Sequence, residues 1–309
     1  MNTLSEALPD AIPEARDRAA GRTTGVRPLY WSLRRELWES RSLYIAPLIV
    51  AGLVLFGFFV GVAHIPGQIN SLQVEPRNRA AVTTIPYAMA AIAIMVTGLV
   101  VASFYCLGAL HNERRDRSIL FWKSMPISDL KAVLVKASVP LVAVPVILFV
   151  VIFATQLVML AVSAMVLLPS GVRFATLWSQ WPIFRMSVVL AYGLVTETLW
   201  YAPVWGWLLM VSAWARRAPF LWAILPPIGL CIIEMFAFGT GHFSHFLAVR
   251  LGGGFDAAFS DAGPRESMVD LAQIDPGRFF GSLEFWGGLV VGAGFLAAAV
   301  WLRRTRDPV

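Results

Sequence analysis

Six apolar runs dominate the sequence and restrict it to folds that a lipid bilayer can hold. An α-helix rises about 1.5 Å per residue, so roughly 20 apolar residues cross about 30 Å of hydrocarbon. Runs of about this length or longer lie at about residues 43–63, 85–110, 138–168, 187–215, 220–240 and 283–302. Hydrophobic residues make up 58% of the chain and charged residues 14%, which is too little polar material for a water-soluble domain. We therefore predict an all-α integral membrane protein with six transmembrane helices.

The third run is longer than a bilayer is thick, and Pro140 and Pro145 lie near its start. Proline removes a helical hydrogen bond, so we predict a kink or a surface-lying first part there. Ser128 or Asp129 is well placed to cap a helix that begins before the run and continues into it.

The distribution of positive charge predicts the orientation. The segments that we place in the cytoplasm hold 18 of the 25 Lys and Arg residues, and the outer segments hold 7. Since Lys and Arg accumulate on the cytoplasmic side, both termini are predicted to be cytoplasmic. The net charge of +6 comes from Arg at the ends of apolar runs rather than from a basic face with stacking aromatics, so we expect no nucleic acid partner.

The remaining segments divide the chain into three parts. Residues 1–26 show no periodic apolar face and are predicted to be a disordered cytoplasmic tail. Residues 27–42 place Tyr30, Leu33 and Leu37 on one face, which predicts an amphipathic helix on the membrane surface. Residues 43–309 form the six-span domain, and its longest outer segment, 241–282, is predicted to contain short helices.

Residues 111–136, between the second and third runs, form the most charged internal stretch of the chain. This stretch carries six Lys and Arg residues, and four large apolar side chains at positions 119–122 interrupt them. A solvated loop gains nothing by exposing such side chains, so we predict a docking surface on the cytoplasmic side. The alternative is an anchor that only touches lipid headgroups, with Trp122 at the interface.

Spacing within this stretch resembles the cytoplasmic loop of type-2 permease subunits of ATP-binding cassette (ABC) transporters. The matching positions are Glu113, Arg114, Ser118, Phe121, Trp122, Pro126 and Lys136, whereas Arg117 stands where Gly is usual and Ser118 replaces Thr. The short helices predicted between spans five and six also fit the layout of that family.

That resemblance implies an exporter subunit of the bacterial inner membrane that pairs with a second copy or a related permease and with two cytoplasmic ATPase subunits. The ATPases would hold ATP and Mg, and this chain would bind no cofactor. The coupling surface would comprise Glu113, Arg114, Arg115, Asp116, Ser118, Leu120, Phe121, Trp122 and Pro126.

Two carboxylates interrupt the apolar runs, Glu197 in the fourth and Glu234 in the fifth. An ionised carboxylate facing lipid would cost a few kcal/mol, so both are expected to face protein, water or each other. One hypothesis is that they line a translocation path that holds a cationic or amphipathic group, with Tyr201, Trp205 and Trp207 as aromatic walls. The alternative is a protonated carboxyl that hydrogen-bonds between two helices.

Two further classes of function are open. His242 and His245, with Glu197 and Glu234, would be the centre of an intramembrane enzyme, although no metal-site motif accompanies them. A non-transporting scaffold could also anchor a complex through residues 111–136. Since the chain contains no phosphate-binding loop, we do not expect it to hydrolyse ATP itself.

Overall fold

The computed structural model describes residues 26–62, 76–116, 128–167, 183–252, 254–259 and 274–305. This part of the chain is helical, apart from an isolated antiparallel bridge between Phe259 and Ile274. In chain order the helices are α1 (Val26–Glu39), α2 (Ser42–Val62), α3 (Pro76–Ala109), α4 (His111–Arg115), α5 (Asp129–Ser138), the π-helical turn π1 (Val139–Ala143), α6 (Val144–Leu167), α7 (Ile183–Trp200), α8 (Ala202–Trp214), α9 (Pro219–Phe238), α10 (His242–Gly252), α11 (Gly254–Ala258), α12 (Pro276–Gly281) and α13 (Leu283–Thr305).

Five stretches of helix in the described residues are long and apolar enough to cross a membrane: Ser42–Gly61, Ile85–Arg115, Asp129–Met165, Pro219–Phe238 and Leu283–Thr305. They correspond to five of the six predicted runs, so the prediction of a helical, multi-pass membrane protein is confirmed at that level. The predicted tail at 1–26 lies almost wholly outside the described residues.

The fourth predicted run, 187–215, is not one continuous helix. It divides at Tyr201 into α7 and α8, and α8 has only 13 residues. The reason is Pro203, which has no N–H to donate to the carbonyl of Leu199. The backbone N–H of Tyr201 still donates to the Glu197 carbonyl at 3.0 Å, so one α-helical hydrogen bond is kept at the break.

The predicted disturbance near Pro140 and Pro145 takes the form of the π-helical turn. Val144 donates its N–H to the carbonyl of Val139, five residues back, as a π-helix requires. Pro145 cannot make the next α-helical bond, which favours this wider turn. Ser128, rather than Asp129, is the N-cap of α5, and its hydroxyl accepts the Lys131 N–H at 3.4 Å.

Helix α1 lies where the amphipathic helix is predicted. Leu33 and Leu37 pack against the main hydrophobic core, whereas Trp31 and Trp38 are exposed. The Arg34 guanidinium lies over both tryptophan rings, 5.2 and 5.5 Å from their centroids. One face of α1 therefore packs against the core and the other is exposed.

Glycines bring α8 and α13 into close contact. A Cβ atom at Gly206 would lie 2.7 Å from the backbone oxygen of Gly292, so only glycine allows these helices to cross at this distance. Gly57 and Gly61 in α2 lie four residues apart, but a Cβ at either position would meet nothing within 4 Å in the described part of the structure.

Candidate functional site

Ends of five helical elements meet on one side of the molecule around a group of charged side chains. Lys136 Nζ lies 2.8 Å from Glu36 Oε1 and 3.0 Å from Glu113 Oε1. Arg303 places Nη1 2.6 Å from Glu113 Oε2 and Nε 3.1 Å from Asp129 Oδ1. We call these five residues, with Tyr105, the charge cluster.

Both cations of the charge cluster are almost fully buried, and each has two carboxylate partners. The side chains of Lys136 and Arg303 are 5% exposed, and that of Glu113 is 16% exposed. The Tyr105 hydroxyl adds a 2.9 Å hydrogen bond to Glu36 Oε2. Because a buried ion without a partner is costly, the cluster holds α1, α3, α4, α5 and α13 in a fixed relation.

A second set of polar contacts fixes the start of the predicted docking surface to the end of α8. Ser212 Oγ accepts the N–H groups of Leu110 and His111, both at 3.0 Å, and donates to the Leu107 carbonyl at 2.7 Å. Arg114 is buried and donates from Nη1 to the Ala213 carbonyl at 2.6 Å. These bonds satisfy backbone groups that helix ends leave without partners.

The predicted coupling residues therefore divide into three groups. Glu113 and Arg114 point inward, and neither can serve as a contact surface without leaving its partners. Arg115 and Asp116 are exposed and lie 3.1 Å apart as an ion pair. The other predicted coupling residues lie outside the described part of the chain: Ser118, Leu120, Phe121, Trp122 and Pro126.

An apolar cavity of about 270 Å³ lies among α3, π1, α6, α7 and α8, and Leu251 of α10 completes its wall. Its lining consists of Ile92, Met95, Val96, Leu99, Ala102, Pro140, Val144, Pro145, Leu148, Leu194, Glu197, Thr198, Tyr201, Trp205 and Leu251. Three of the predicted path residues, Glu197, Tyr201 and Trp205, are therefore on one cavity wall.

The Glu197 carboxyl is packed but incompletely bonded. Its Oε2 is buried and has no hydrogen-bond partner among the described residues. Gly254 approaches so closely that a Cβ at that position would collide with this oxygen. Trp205 Nε1, on the same cavity, is also buried without a partner in this part of the chain.

Aromatic side chains of α7 and the following turn hold the segment α10–α11 over this region. Tyr201 donates its hydroxyl hydrogen to the carbonyl of Leu251, and Trp200 Nε1 donates to the carbonyl of Arg250 at 3.1 Å. Further along, the Tyr192 hydroxyl donates to the Ala258 carbonyl at 3.1 Å. These bonds place Gly254 against Glu197.

Arg250 is a buried cation beside this segment. Its guanidinium lies 4.4 Å from the centroid of the Trp200 ring and donates from Nη1 to the Glu284 carbonyl at 3.3 Å. Desolvation lowers the pKa of Arg250 below its usual value, and the nearby Glu284 carboxylate opposes that change. Arginine stays protonated at neutral pH even so, and the ring face supplies part of the missing solvation.

Glu234 has different surroundings from Glu197. Its carboxylate accepts the backbone N–H groups of His242 and Phe243, both at 2.8 Å, and the Thr240 hydroxyl at 3.0 Å. It thus caps the N-terminus of α10 and does not line the cavity. The described residues contain no group of three or more His, Cys, Asp or Glu side chains that could hold a metal, at His242 and His245 or elsewhere.

Comparisons of the chain with models of protein families, with curated proteins and with solved structures give no match. The charge cluster and the cavity are thus the features from which a function can be argued. Sequence reasoning found Glu113 and Lys136 as part of one loop, but it missed their partners Glu36 and Arg303. The available signal was the position of Arg303 at the very end of an apolar run.

Proposed function

We propose that this chain is the membrane-spanning permease subunit of an ATP-driven ABC exporter in the bacterial inner membrane. In this proposal α7 and α8 together form the fourth of six spans, and both termini are cytoplasmic. The observation that carries the proposal is the anchoring on both sides of residues 117–127, the middle of the stretch 111–136 that resembles a coupling loop. Glu113 lies just before this stretch and Asp129 just after it, and both bond Arg303.

Such anchoring is what a coupling element needs. A force that a separate ATPase applies to residues 117–127 would reach the helices at both ends of this stretch, because Glu113 and Asp129 hold those ends to Arg303. The charge cluster would pass the displacement to α1 through Glu36 and to α13 through Arg303. Helices α4 and α5 would move with it, because Glu113 and Lys136 are also paired with each other.

The partners in this proposal are two cytoplasmic ABC ATPase subunits and a second copy of this chain or a related permease. ATP and Mg would be bound by the ATPases. Within this chain the path would run past Glu197, Tyr201 and Trp205, and Glu234 would contribute by capping α10. A scaffold that only anchors a complex would use the same docking surface but would make no use of the cavity.

The test is purification of the tagged chain from its native host in mild detergent, followed by identification of stoichiometric partners and an ATPase assay. We expect a nucleotide-binding subunit to co-purify and to be lost when Leu120 and Trp122 are both changed to Asp. Trp38→Asp is the control, because Trp38 is an exposed tryptophan of α1 and lies outside residues 111–136. It should retain the ATPase.

Three outcomes would count against the proposal. Purification of the wild-type chain without any ATPase would remove the partner on which the proposal depends. Retention of the ATPase by the Leu120→Asp, Trp122→Asp variant would place the docking surface elsewhere. An ATPase that binds normally but drives no transport would favour the scaffold.

A further inference from the structure

The apolar cavity has one carboxyl group in its wall. Glu197 is its only ionisable residue apart from Tyr201, and no Lys or Arg is among the described residues that line it. Glu197 Oε2 is buried and accepts no hydrogen bond within the described residues. A carboxyl group in such a place is either protonated or paired with a positive charge that these residues do not supply.

Two observations indicate an occupant rather than an inert void. Glu197 Oε2 and Trp205 Nε1 are both buried and both lack a partner in the described structure. Buried polar atoms are bonded in the great majority of cases, so two unbonded polar atoms on one cavity indicate a partner that the described residues do not supply. An empty cavity would leave the desolvation cost of Glu197 Oε2 and of Trp205 Nε1 uncompensated.

The aromatic side chains beside Glu197 fit a cation. Tyr201 and Trp205 both line the cavity, with ring centroids 6.1 Å apart and planes inclined by 49°. Ring faces attract positive charge, and Trp does so most strongly. The rest of the wall is aliphatic and suits a hydrophobic body rather than a hydrated metal ion.

We infer that this cavity binds a small hydrophobic cation, an amine or quaternary ammonium with an aromatic or aliphatic body, whose charge pairs with the Glu197 carboxylate. The inference rests on the proposed function only for the further claim that the bound cation is exported. A cavity of 150 Å³ holds benzene, so 270 Å³ accommodates roughly eleven non-hydrogen atoms.

The experiment uses two probes of that size with the same carbon skeleton. 4-Phenylbutylamine is positively charged at pH 7, and 4-phenylbutan-1-ol is neutral. Equilibrium binding of each, radiolabelled, is measured to the full-length protein in lipid nanodiscs, and empty nanodiscs give the background from lipid partition. Glu197→Gln removes the charge at nearly constant shape, and Glu39→Gln makes the same change at an exposed carboxylate of α1, outside the cavity.

We expect the wild-type protein to bind the amine at least about tenfold more tightly than the alcohol, since a charged hydrogen-bonded pair is worth that much or more. Glu197→Gln should abolish this preference, and Glu39→Gln should keep it. Equal binding of amine and alcohol by the wild type would overturn the inference, as would an unchanged preference in Glu197→Gln.

A second variant keeps the test decisive if Glu197→Gln fails to fold. Met95 lines the cavity and is partly buried, so Met95→Trp should fill the space while leaving Glu197 in place. Binding of the amine should then fall to background. Undiminished binding by a folded Met95→Trp protein would show that the cation binds elsewhere.

Failure of this inference is distinguishable from failure of the exporter. Cation binding is measured on the chain alone and needs no ATPase. If no ATPase co-purifies but the amine still depends on Glu197, the site stands and the exporter does not. If an ATPase co-purifies and the amine does not bind, only the assignment of the cavity is lost.

Discussion

The charge cluster yields the sharpest prediction, because its central carboxylate can be neutralised with almost no change in shape. Glu113 bonds Lys136 through one oxygen and Arg303 through the other, at 3.0 and 2.6 Å. Glu113→Gln leaves both cations buried, each with a single carboxylate, Glu36 or Asp129. The expected result is a large loss of stability.

The magnitude follows from burial. Removing one partner of a buried ion pair costs about 3–5 kcal/mol, because it leaves an uncompensated buried charge. Since each cation here keeps another carboxylate, the lower end of that range, about 3 kcal/mol, is expected for Glu113→Gln. Combining it with Arg303→Met should give a coupling energy of about 1–3 kcal/mol, as contacting residues do.

The chain offers a matched control in an exposed pair with the same chemistry and the same separation. Arg35 Nε and Glu39 Oε1 are also 2.6 Å apart, but their side chains are 48% and 55% exposed. A solvated pair four residues apart on a helix contributes only about 0.3–0.5 kcal/mol, so Glu39→Gln should be close to neutral.

Reversible unfolding in mixed micelles of mild detergent and sodium dodecyl sulfate, followed by circular dichroism, gives the free energy of unfolding of each variant. If burial decides how much an ion pair contributes, Glu113→Gln should lower the free energy of unfolding by about 2 kcal/mol more than Glu39→Gln does. Equal losses in the two variants, or a coupling energy near zero between Glu113 and Arg303, would refute the reasoning.

Two further predictions concern helix packing and are checked by the same unfolding measurement. Gly206→Ala should cost about 1–3 kcal/mol, because the added methyl group meets the backbone of Gly292, which cannot turn aside as a side chain can. Gly57→Ala, with open space around it, should be near neutral, and equal effects would show that α8 and α13 can separate freely. Ser212→Ala should cost about 1–3 kcal/mol, since two buried backbone N–H groups lose their acceptor. Ser103→Ala is its control, because Ser103 only donates to a carbonyl of its own helix, and a comparable loss there would contradict the role given to Ser212.

The long helices could be predicted because their lengths follow from the thickness of a bilayer. The run at 43–63 became Ser42–Val62, and the run at 283–302 became Leu283–Thr305. The fourth run was wrong as a single helix because composition alone does not reveal a break. Pro203 was visible in the sequence, but proline can also be accommodated within a transmembrane helix, so its effect at Tyr201 depended on tertiary contacts.

The cavity and the charge cluster differed in how much of each could be predicted from the sequence. Glu197 was identifiable as a carboxyl within an apolar run, but Gly254, 57 residues later, gives no sign in the sequence of packing against it. The charge cluster was less visible still. Glu113 and Arg303 are separated by 190 residues, and charges at the ends of apolar runs are expected at any membrane surface. Only the fold turns such charges into buried pairs.

The geometry also brings the charge cluster and the apolar cavity within one helical turn of each other, on two separate elements. On α3, Ala102 lines the cavity and Tyr105 bonds Glu36, about 4.5 Å further along the helix. On the other side, Lys136 belongs to the cluster, and Pro140, four residues later, lines the cavity. In the proposed exporter, a displacement of the cluster would therefore act directly on two cavity walls. Coupling between the docking surface and the cavity would then need no long chain of contacts. A shift of two helix ends about π1 would be enough, because the regular α-helical hydrogen bonds are already interrupted there.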